Sequence, residues 1–225
     1  MLAATKETLS SPAPRVDPLP LENGDRMRSG EFLRRYEAMP EVKKAELVEG
    51  RVYMGSPVRA DSHGKPDALI QAWLGLYAAV HPGVGAYTNT TVILDADNTF
   101  QPDALLCLDP ERGGRTRINA KGYLSGPPEL VAEITASTAS LDLQEKLHVY
   151  RRCGIPEYLV WRTAENQLDW FVLEEEEYRP LTAGADGWLH SRVFPGLVLD
   201  VPALLARDAA RVLAALPALP RPPAP

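Results

Sequence analysis

Apolar positions along the chain recur with two different spacings, which predict an alternation of helices and strands. Spacings of three and four residues between Leu69 and Tyr77 predict a core helix over about residues 61–80. A shorter helix is expected over residues 31–39, where Pro40 ends it. Apolar and β-branched runs bounded by Asn and Asp predict strands instead. These runs are residues 84–87, 90–94 and 104–108.

One part of the pattern predicts a parallel pair of strands. Residues 129–134 are almost continuously apolar, as in a strand that is covered on both faces. A helix is expected over residues 141–152, ended by Gly154, and a second strand over residues 158–161. Strand, helix and strand in this order imply a parallel pair with a right-handed crossover.

The remaining elements predict that the sheet is mixed. Residues 45–49 and 51–54 predict a hairpin, and residues 168–173 and 177–181 predict a second antiparallel pair. Residues 201–216 predict one Ala- and Leu-rich helix at the end of the domain. We therefore expect an α/β fold in which helices flank a mixed central β-sheet.

The composition favours a single domain with unpacked ends. The chain has 225 residues, of which 45% are hydrophobic and 24% charged, enough for one sizeable core. Prolines concentrate at both ends of the chain. We therefore expect extended or disordered tails at residues 1–26 and 217–225, around a single domain at residues 27–216.

Cysteine usage and the N-terminus bear on the compartment. The two cysteines, Cys107 and Cys153, argue against a disulfide scaffold and against a cysteine-ligated zinc site. The first residues lack a basic region followed by an apolar core, and no stretch approaches the roughly 18 apolar residues of a membrane span. These features predict a soluble, cytoplasmic protein without membrane association.

Two acids stand beside or inside apolar, strand-like runs. Asp103 precedes the run at 104–108, and Glu133 lies within Leu-Val-Ala-Glu-Ile, 30 residues later. A carboxylate in such a place is costly unless a positive group meets it. Lys146 follows Glu133 by thirteen positions. This order suits divalent-metal chemistry on phosphate, with Ile134 adding its backbone carbonyl to the two carboxylate ligands.

Each candidate also has a purely structural interpretation. Asp103 follows a proline at a strand start, where an acid often accepts hydrogen bonds from backbone N–H groups. Lys146 could form a helix-surface ion pair with Asp142, four residues before it. Glu133 is harder to explain structurally, because an unpartnered carboxylate inside an apolar strand is costly. His63 could reach the site or simply cap the long helix.

Two further acids, Glu46 and Glu49, lie on the first predicted hairpin. They are separated by an odd number of positions, so in one regular strand their side chains point to opposite faces. Only one of them can then face the site, and the residue pattern alone leaves the choice open.

Several short motifs follow one another in a fixed order. They are Glu-Leu-Val-Glu-Gly-Arg (46–51) with Ser56 and His63 after it, Gln-Pro-Asp (101–103), Leu-Val-Ala-Glu-Ile (130–134), Asp-Leu-Gln-Glu-Lys (142–146), and Gly-Ile-Pro-Glu-Tyr (154–158) preceded by Tyr150. No single motif is specific, but the ordered set resembles the PD-(D/E)XK nuclease superfamily. Within it, the chain resembles the putative restriction endonucleases of the Uma2 type, over roughly residues 27–205.

This resemblance implies a restriction-endonuclease-like core with a metal-dependent phosphodiesterase site. Asp103 and Glu133 would be metal ligands, and Glu46, rather than the other hairpin acid, would be a further acid at the site. In the commoner superfamily pattern the catalytic lysine stands two residues after the second acid, and here that position is Thr135. The role of the lysine would therefore pass to Lys146 on the following helix.

The resemblance implies an endonuclease that uses Mg²⁺ or Mn²⁺ and a water nucleophile to hydrolyse DNA. A homodimer is expected, because cutting two strands with this kind of core usually needs two sites. The net charge of −6 instead favours a catalytically inactive nuclease-fold protein that serves as a binding or assembly module. A third interpretation is an enzyme for another phosphorylated substrate. Convergence of the three acids and the lysine in one cleft would favour the nuclease.

Overall fold

The computed structural model describes residues 18–136, 141–185 and 187–216. Its α-helices are α1 (Ser29–Tyr36), α2 (Lys65–Val80), α3 (Leu147–Arg152), α4 (Val201–Leu205) and α5 (Ala209–Ala214). Single turns of π-helix precede α2 and α3, at Ala60–Gly64 and Leu141–Lys146. The strands are β1 (Ala45–Val48), β2 (Arg51–Met54), β3 (Val84–Thr88), β4 (Val92–Ile93), β5 (Thr99–Phe100), β6 (Ala104–Leu108), β7 (Arg117–Ile118), β8 (Leu124–Ser125), β9 (Leu130–Thr135), β10 (Glu157–Arg162), β11 (Gln167–Glu174), β12 (Glu177–Pro180), β13 (Trp188–His190) and β14 (Val198–Asp200).

The strands form two six-stranded sheets and one two-stranded sheet. One six-stranded sheet has the order β12-β11-β10-β9-β6-β3, the other has the order β2-β1-β5-β4-β8-β7, and β13 pairs with β14. β9 and β10 are parallel and are connected through α3, whereas β9 and β6 are antiparallel. The predicted strand–helix–strand unit and the mixed sheet are confirmed.

Strand β9 is buried on both faces, and its alternation sends successive side chains into two different cores. Ala132 and Ile134 belong to the core that α2 covers. Val131 belongs instead to the core that contains Tyr150 of α3. Glu133 has the same parity as Val131, so its carboxylate points to the α3 side of the sheet. The alternation of the strand therefore determines the direction of the Glu133 side chain.

The hairpin of β1 and β2 directs a second acid, Glu46, away from the core beside α1. Ala45 and Leu47 enter the core beside α1, so Glu46 between them points the other way. Glu49 and Gly50 form the turn, with φ angles of 49° and 72°. Such angles favour glycine, and they remove Glu49 from the alternation of the strand.

Two predicted segments differ from the structure. The single helix expected at 201–216 is wrong, because Arg207 has a φ of 58° and Asp208 begins a separate helix by accepting a hydrogen bond from the Arg211 N–H. In the expected N-terminal tail, residues 18–26 pack against the hairpin: Leu21 is buried, and Arg26 bridges to β2. Residues 1–17 and the predicted tail at 217–225 lie outside the described residues.

The apolar character of α2 reflects its position in the core. Within the described ranges, no helix combines the length and apolarity needed to cross a membrane. The Trp73 ring of α2 is fully buried and meets the Trp170 ring edge to face, with centroids 5.8 Å apart. Its indole N–H donates a hydrogen bond to the Val198 carbonyl at 2.9 Å. Trp73 thus joins the helix to two sheets.

Trp73→Ala should lower the free energy of unfolding by about 3–5 kcal/mol, because it leaves a large cavity and an unpaired carbonyl. Urea denaturation followed by circular dichroism measures the change. The control is Ile118→Ala on β7, where the side chain is 65% exposed and the loss should stay within about 0.5 kcal/mol. Equal losses in the two variants would contradict this packing.

Candidate active site

The predicted acids and lysine converge on one cleft of about 750 Å³. β1 carries Glu46, Asp103 stands directly before β6, and Glu133 lies in the middle of β9. Lys146 ends the π-helical turn that precedes α3. All four line the cleft, although they come from segments far apart in sequence. The convergence that the nuclease interpretation requires is present.

Lys146 lies at the centre of three carboxylates. Its Nζ is 2.8 Å from Glu46 Oε2, 2.9 Å from Glu133 Oε1 and 3.4 Å from Asp142 Oδ1. The side chain of Lys146 is only 3% exposed. The pair with Asp142 considered from the sequence does form, but it is buried inside the site and does not lie on a helix surface.

Asp103 makes a separate set of contacts at the end of the β6–β9 ladder. The pairing of these strands ends at Ala104 and Ala132, and the Ile134 N–H beyond it donates to Asp103 Oδ2 at 2.8 Å. Lys44 Nζ lies 2.9 Å from Asp103 Oδ1. Burial raises the pKa of Asp103, but the imidazole of His63 and the ammonium of Lys44 outweigh burial and hold the pKa well below its usual range.

The pKa of Glu133 is shifted in the opposite direction to that of Asp103. Its Oε1 accepts hydrogen bonds from Lys146 Nζ and, at 3.2 Å, from Tyr150 Oη. Burial raises the pKa of Glu133 from 4.5 to about 8, against the charge of Lys146, and the neighbouring carboxylates of Asp103 and Glu46 add to the rise. The site therefore resists full ionisation without more positive charge.

The carboxylates of the cleft outnumber its ammonium groups. Four carboxylates line it, against two lysines and one arginine, which leaves one negative charge when all four acids are ionised and the histidine is neutral. These charged residues are Glu46, Asp103, Glu133, Asp142, Lys44, Arg59 and Lys146. A divalent cation would offset the remaining negative charge, so the charge set fits such an ion.

The oxygen atoms at one side of the cleft also fit a hard cation. The N–H and C=O groups of one extended residue face the same side of a strand, so the Ile134 carbonyl opens on the side of Asp103. Among the residues that the structure describes, no three His, Cys, Asp or Glu side chains form a complete metal site. Asp103, Glu133 and the carbonyl offer three oxygens, and Mg²⁺ usually completes such a set with water and phosphate.

The structure shows the positions of His63 and Glu49, the two residues whose place in the site the sequence left undecided. His63 lines the cleft, and its Nε2 is 3.4 Å from Asp103 Oδ2. The interaction with Asp103 raises the pKa of His63, although burial opposes the rise. Glu49 lies in the hairpin turn, where its Oε1 pairs with Arg152 Nη1 at 2.7 Å. Glu46 is therefore the hairpin acid of the cleft.

Sequence reasoning missed Lys44, which stands two positions before Glu46. The signal was present, because side chains two apart in an extended segment share a face. Glu46 is fixed from its other side by the Gln101 N–H, which donates to Glu46 Oε1 at 2.8 Å. Asp142, considered only as a surface partner of Lys146, also belongs to the cleft.

Comparisons with known proteins bear on the family and the fold. A family model described as "Putative restriction endonuclease" (Uma2) matches residues 30–202. Among solved structures, a putative nuclease belonging to DUF820 from Anabaena variabilis matches with a TM-score of 0.61 and 14% sequence identity. The match covers 77% of this chain and 97% of that chain, and at this identity it shows a common fold. No curated protein matches the chain.

The stability of Glu133→Gln relative to wild type should rise with pH. Because folding raises the pKa of Glu133 from 4.5 to about 8, the stability from this carboxyl is complete below pH 4.5 and is lost as pH rises through 8. The free energy of unfolding of the variant minus that of wild type should therefore increase across this window, by at most about 1.4 kcal/mol per pH unit. Urea denaturation at several pH values measures the gain, and parallel profiles would contradict it.

Proposed function

The chain belongs to the Uma2 family, described as putative restriction endonucleases, and from this premise we propose that it is a divalent-metal-dependent endonuclease. It would use Mg²⁺ or Mn²⁺ to hydrolyse DNA phosphodiester bonds, with water as the nucleophile. The fold, which it shares with a putative nuclease, supports the same reaction class.

The observation that carries the proposal is the excess of carboxylate charge in a single cleft. Glu133 is buried and its pKa is raised to about 8 even though Lys146 lies 2.9 Å away. Buried acids that exist only to stabilise a fold are normally matched by partners. Here the carboxylates still outnumber the cationic side chains and lie beside the Ile134 carbonyl, which is the arrangement expected of a cation site.

Asp103, Glu133 and the Ile134 carbonyl would hold the ion. When bound, such an ion supplies Lewis-acid stabilisation of phosphate charge and lowers the pKa of a water molecule. Other residues of the chain already hold the two carboxylate ligands in place. The Ile134 N–H and Lys44 fix the Asp103 carboxylate, and the Tyr150 hydroxyl orients Glu133.

Glu46 would complete the catalytic set, with Lys146 as a positioning residue. Lys146 holds the carboxylates of Glu46 and Glu133 together at contact distance, which keeps the acids in one fixed geometry. Glu46 keeps one oxygen on the Gln101 N–H and the other on Lys146. Its position beside the ligands suits an acid that orients or accepts a proton from the attacking water.

DNA is the substrate that the family description supports. One cleft of this kind acts on one scissile phosphate, so cutting both strands of a duplex calls for two copies of the chain. We therefore expect a homodimer on DNA.

Cleavage of supercoiled and linear DNA tests the proposal. Wild type should cleave in Mg²⁺ or Mn²⁺ and stop when EDTA is added. Asp103→Asn and Glu133→Gln should each lower the cleavage rate by more than about 100-fold, since even outer partners of metal ligands are worth 10–100-fold. Gel assays of nicked and linear products, taken over time, measure the rates.

Glu177→Gln is the matched control, because it makes the same acid-to-amide change at a 61% exposed residue outside the cleft. Its cleavage rate should equal that of wild type. Cleavage that persists in EDTA, or that survives both cleft substitutions, would overturn the mechanism. A folded wild type that binds divalent ions and DNA without cleaving would favour the binding-module interpretation.

A further inference from the structure

The three N–H donors of the Lys146 ammonium all have carboxylate partners. Glu46, Glu133 and Asp142 lie within 3.4 Å of its Nζ, and an ammonium group has three donors. The side chain is also 3% exposed. A contact between Lys146 and a substrate would require the loss of a buried ion pair, which is costly. Lys146 is thus suited to hold acids and poorly suited to touch DNA.

Lys44 has the opposite properties in the same cleft. Its side chain is 31% exposed, and its carboxylate partner is Asp103, at 2.9 Å. One carboxylate contact leaves donor capacity on an ammonium with three N–H groups. The residue lines the cleft that a substrate would enter.

The backbone fixes the position from which Lys44 reaches into the cleft. The hairpin register pairs Ala45 with Met54, and the next bond beyond it runs from the Gly55 N–H to the Lys44 carbonyl at 2.9 Å. A Cβ atom on Gly55 would lie only 3.0 Å from the Cβ of Lys44. The glycine therefore allows the lysine stem to pass on the face that Glu46 shares.

We propose that Lys44 is the lysine that contacts a phosphate oxygen of the DNA backbone, and that Lys146 positions the acids without touching the substrate. The inference rests on the proposed function for its ligand, DNA. A phosphate that approaches carboxylates meets repulsion, and a partly exposed ammonium beside Asp103 offsets it. Lys44 would form a charge-assisted hydrogen bond to the phosphate while its stem remains anchored.

The salt dependence of DNA binding tests this division of roles. Binding of a fluorescent duplex is measured by anisotropy in EDTA over a range of KCl concentrations, with two unrelated DNA sequences. Loss of one phosphate contact reduces the slope of log K against log salt by about 1. Lys44→Met should show this reduction and a similar loss of affinity for both sequences, whereas Lys44→Arg should keep the wild-type slope.

Two matched controls separate a contact from a general loss of charge. Lys43→Met removes the neighbouring ammonium, which is exposed and donates to the Pro40 carbonyl, and should leave the slope unchanged. Lys146→Met removes an ammonium from the same cleft and should also leave the slope unchanged, with folding checked by circular dichroism. A further effect on cleavage rate is expected for Lys146→Met, through displaced acids.

A wild-type slope in Lys44→Met would overturn the inference, and so would a wild type that does not bind DNA. A slope that falls in Lys146→Met and not in Lys44→Met would reverse the two roles. Since binding is measured without metal, a protein that binds through Lys44 but never cleaves supports this inference and overturns only the proposed nuclease activity.

Discussion

The buried ammonium of Lys146 is the group on which the arrangement of the site depends. It holds together carboxylates from β1, from β9 and from the π-helical turn, which are distant in sequence. Burying any one of these ions alone costs several kcal/mol, and the like charges of the acids repel one another where water is excluded. The acids can therefore share one cleft only because the Lys146 ammonium lies between them.

The ion pairs of Lys146 close one half of the cleft and leave the other half, around Asp103, open. Around Lys146 every donor has a partner, while around Asp103 the contacts come from a partly exposed lysine, a histidine and one backbone N–H. A rigid closed half that fixes geometry, next to an open half that accepts ligands, is a suitable arrangement for catalysis on a charged substrate.

Sequence patterns predicted the parts of the molecule that follow from local periodicity. The apolar run around Glu133 indicated both a buried strand and an acid in need of a partner, and the strand–helix–strand unit followed from element order. Lys44 was missed because a half-exposed lysine at a strand end is an ordinary surface residue until a distant acid meets it. The break in the helix predicted at 201–216 depends on a positive φ at Arg207, and the π-helical turn before α3 depends on tertiary contacts, which helical periodicity does not encode.

The most direct test of the cation site is anomalous X-ray diffraction from crystals soaked in Mn²⁺. A manganese peak within ligand distance of the Asp103 and Glu133 carboxylates and the Ile134 carbonyl is the expected result, with Lys146 still paired to Glu46. The same soak of Asp103→Asn crystals should lose the peak. A peak at other residues, or a cleft that stays without manganese while Lys44 and Lys146 keep all their contacts, would contradict the assignment of these carboxylates to a divalent cation.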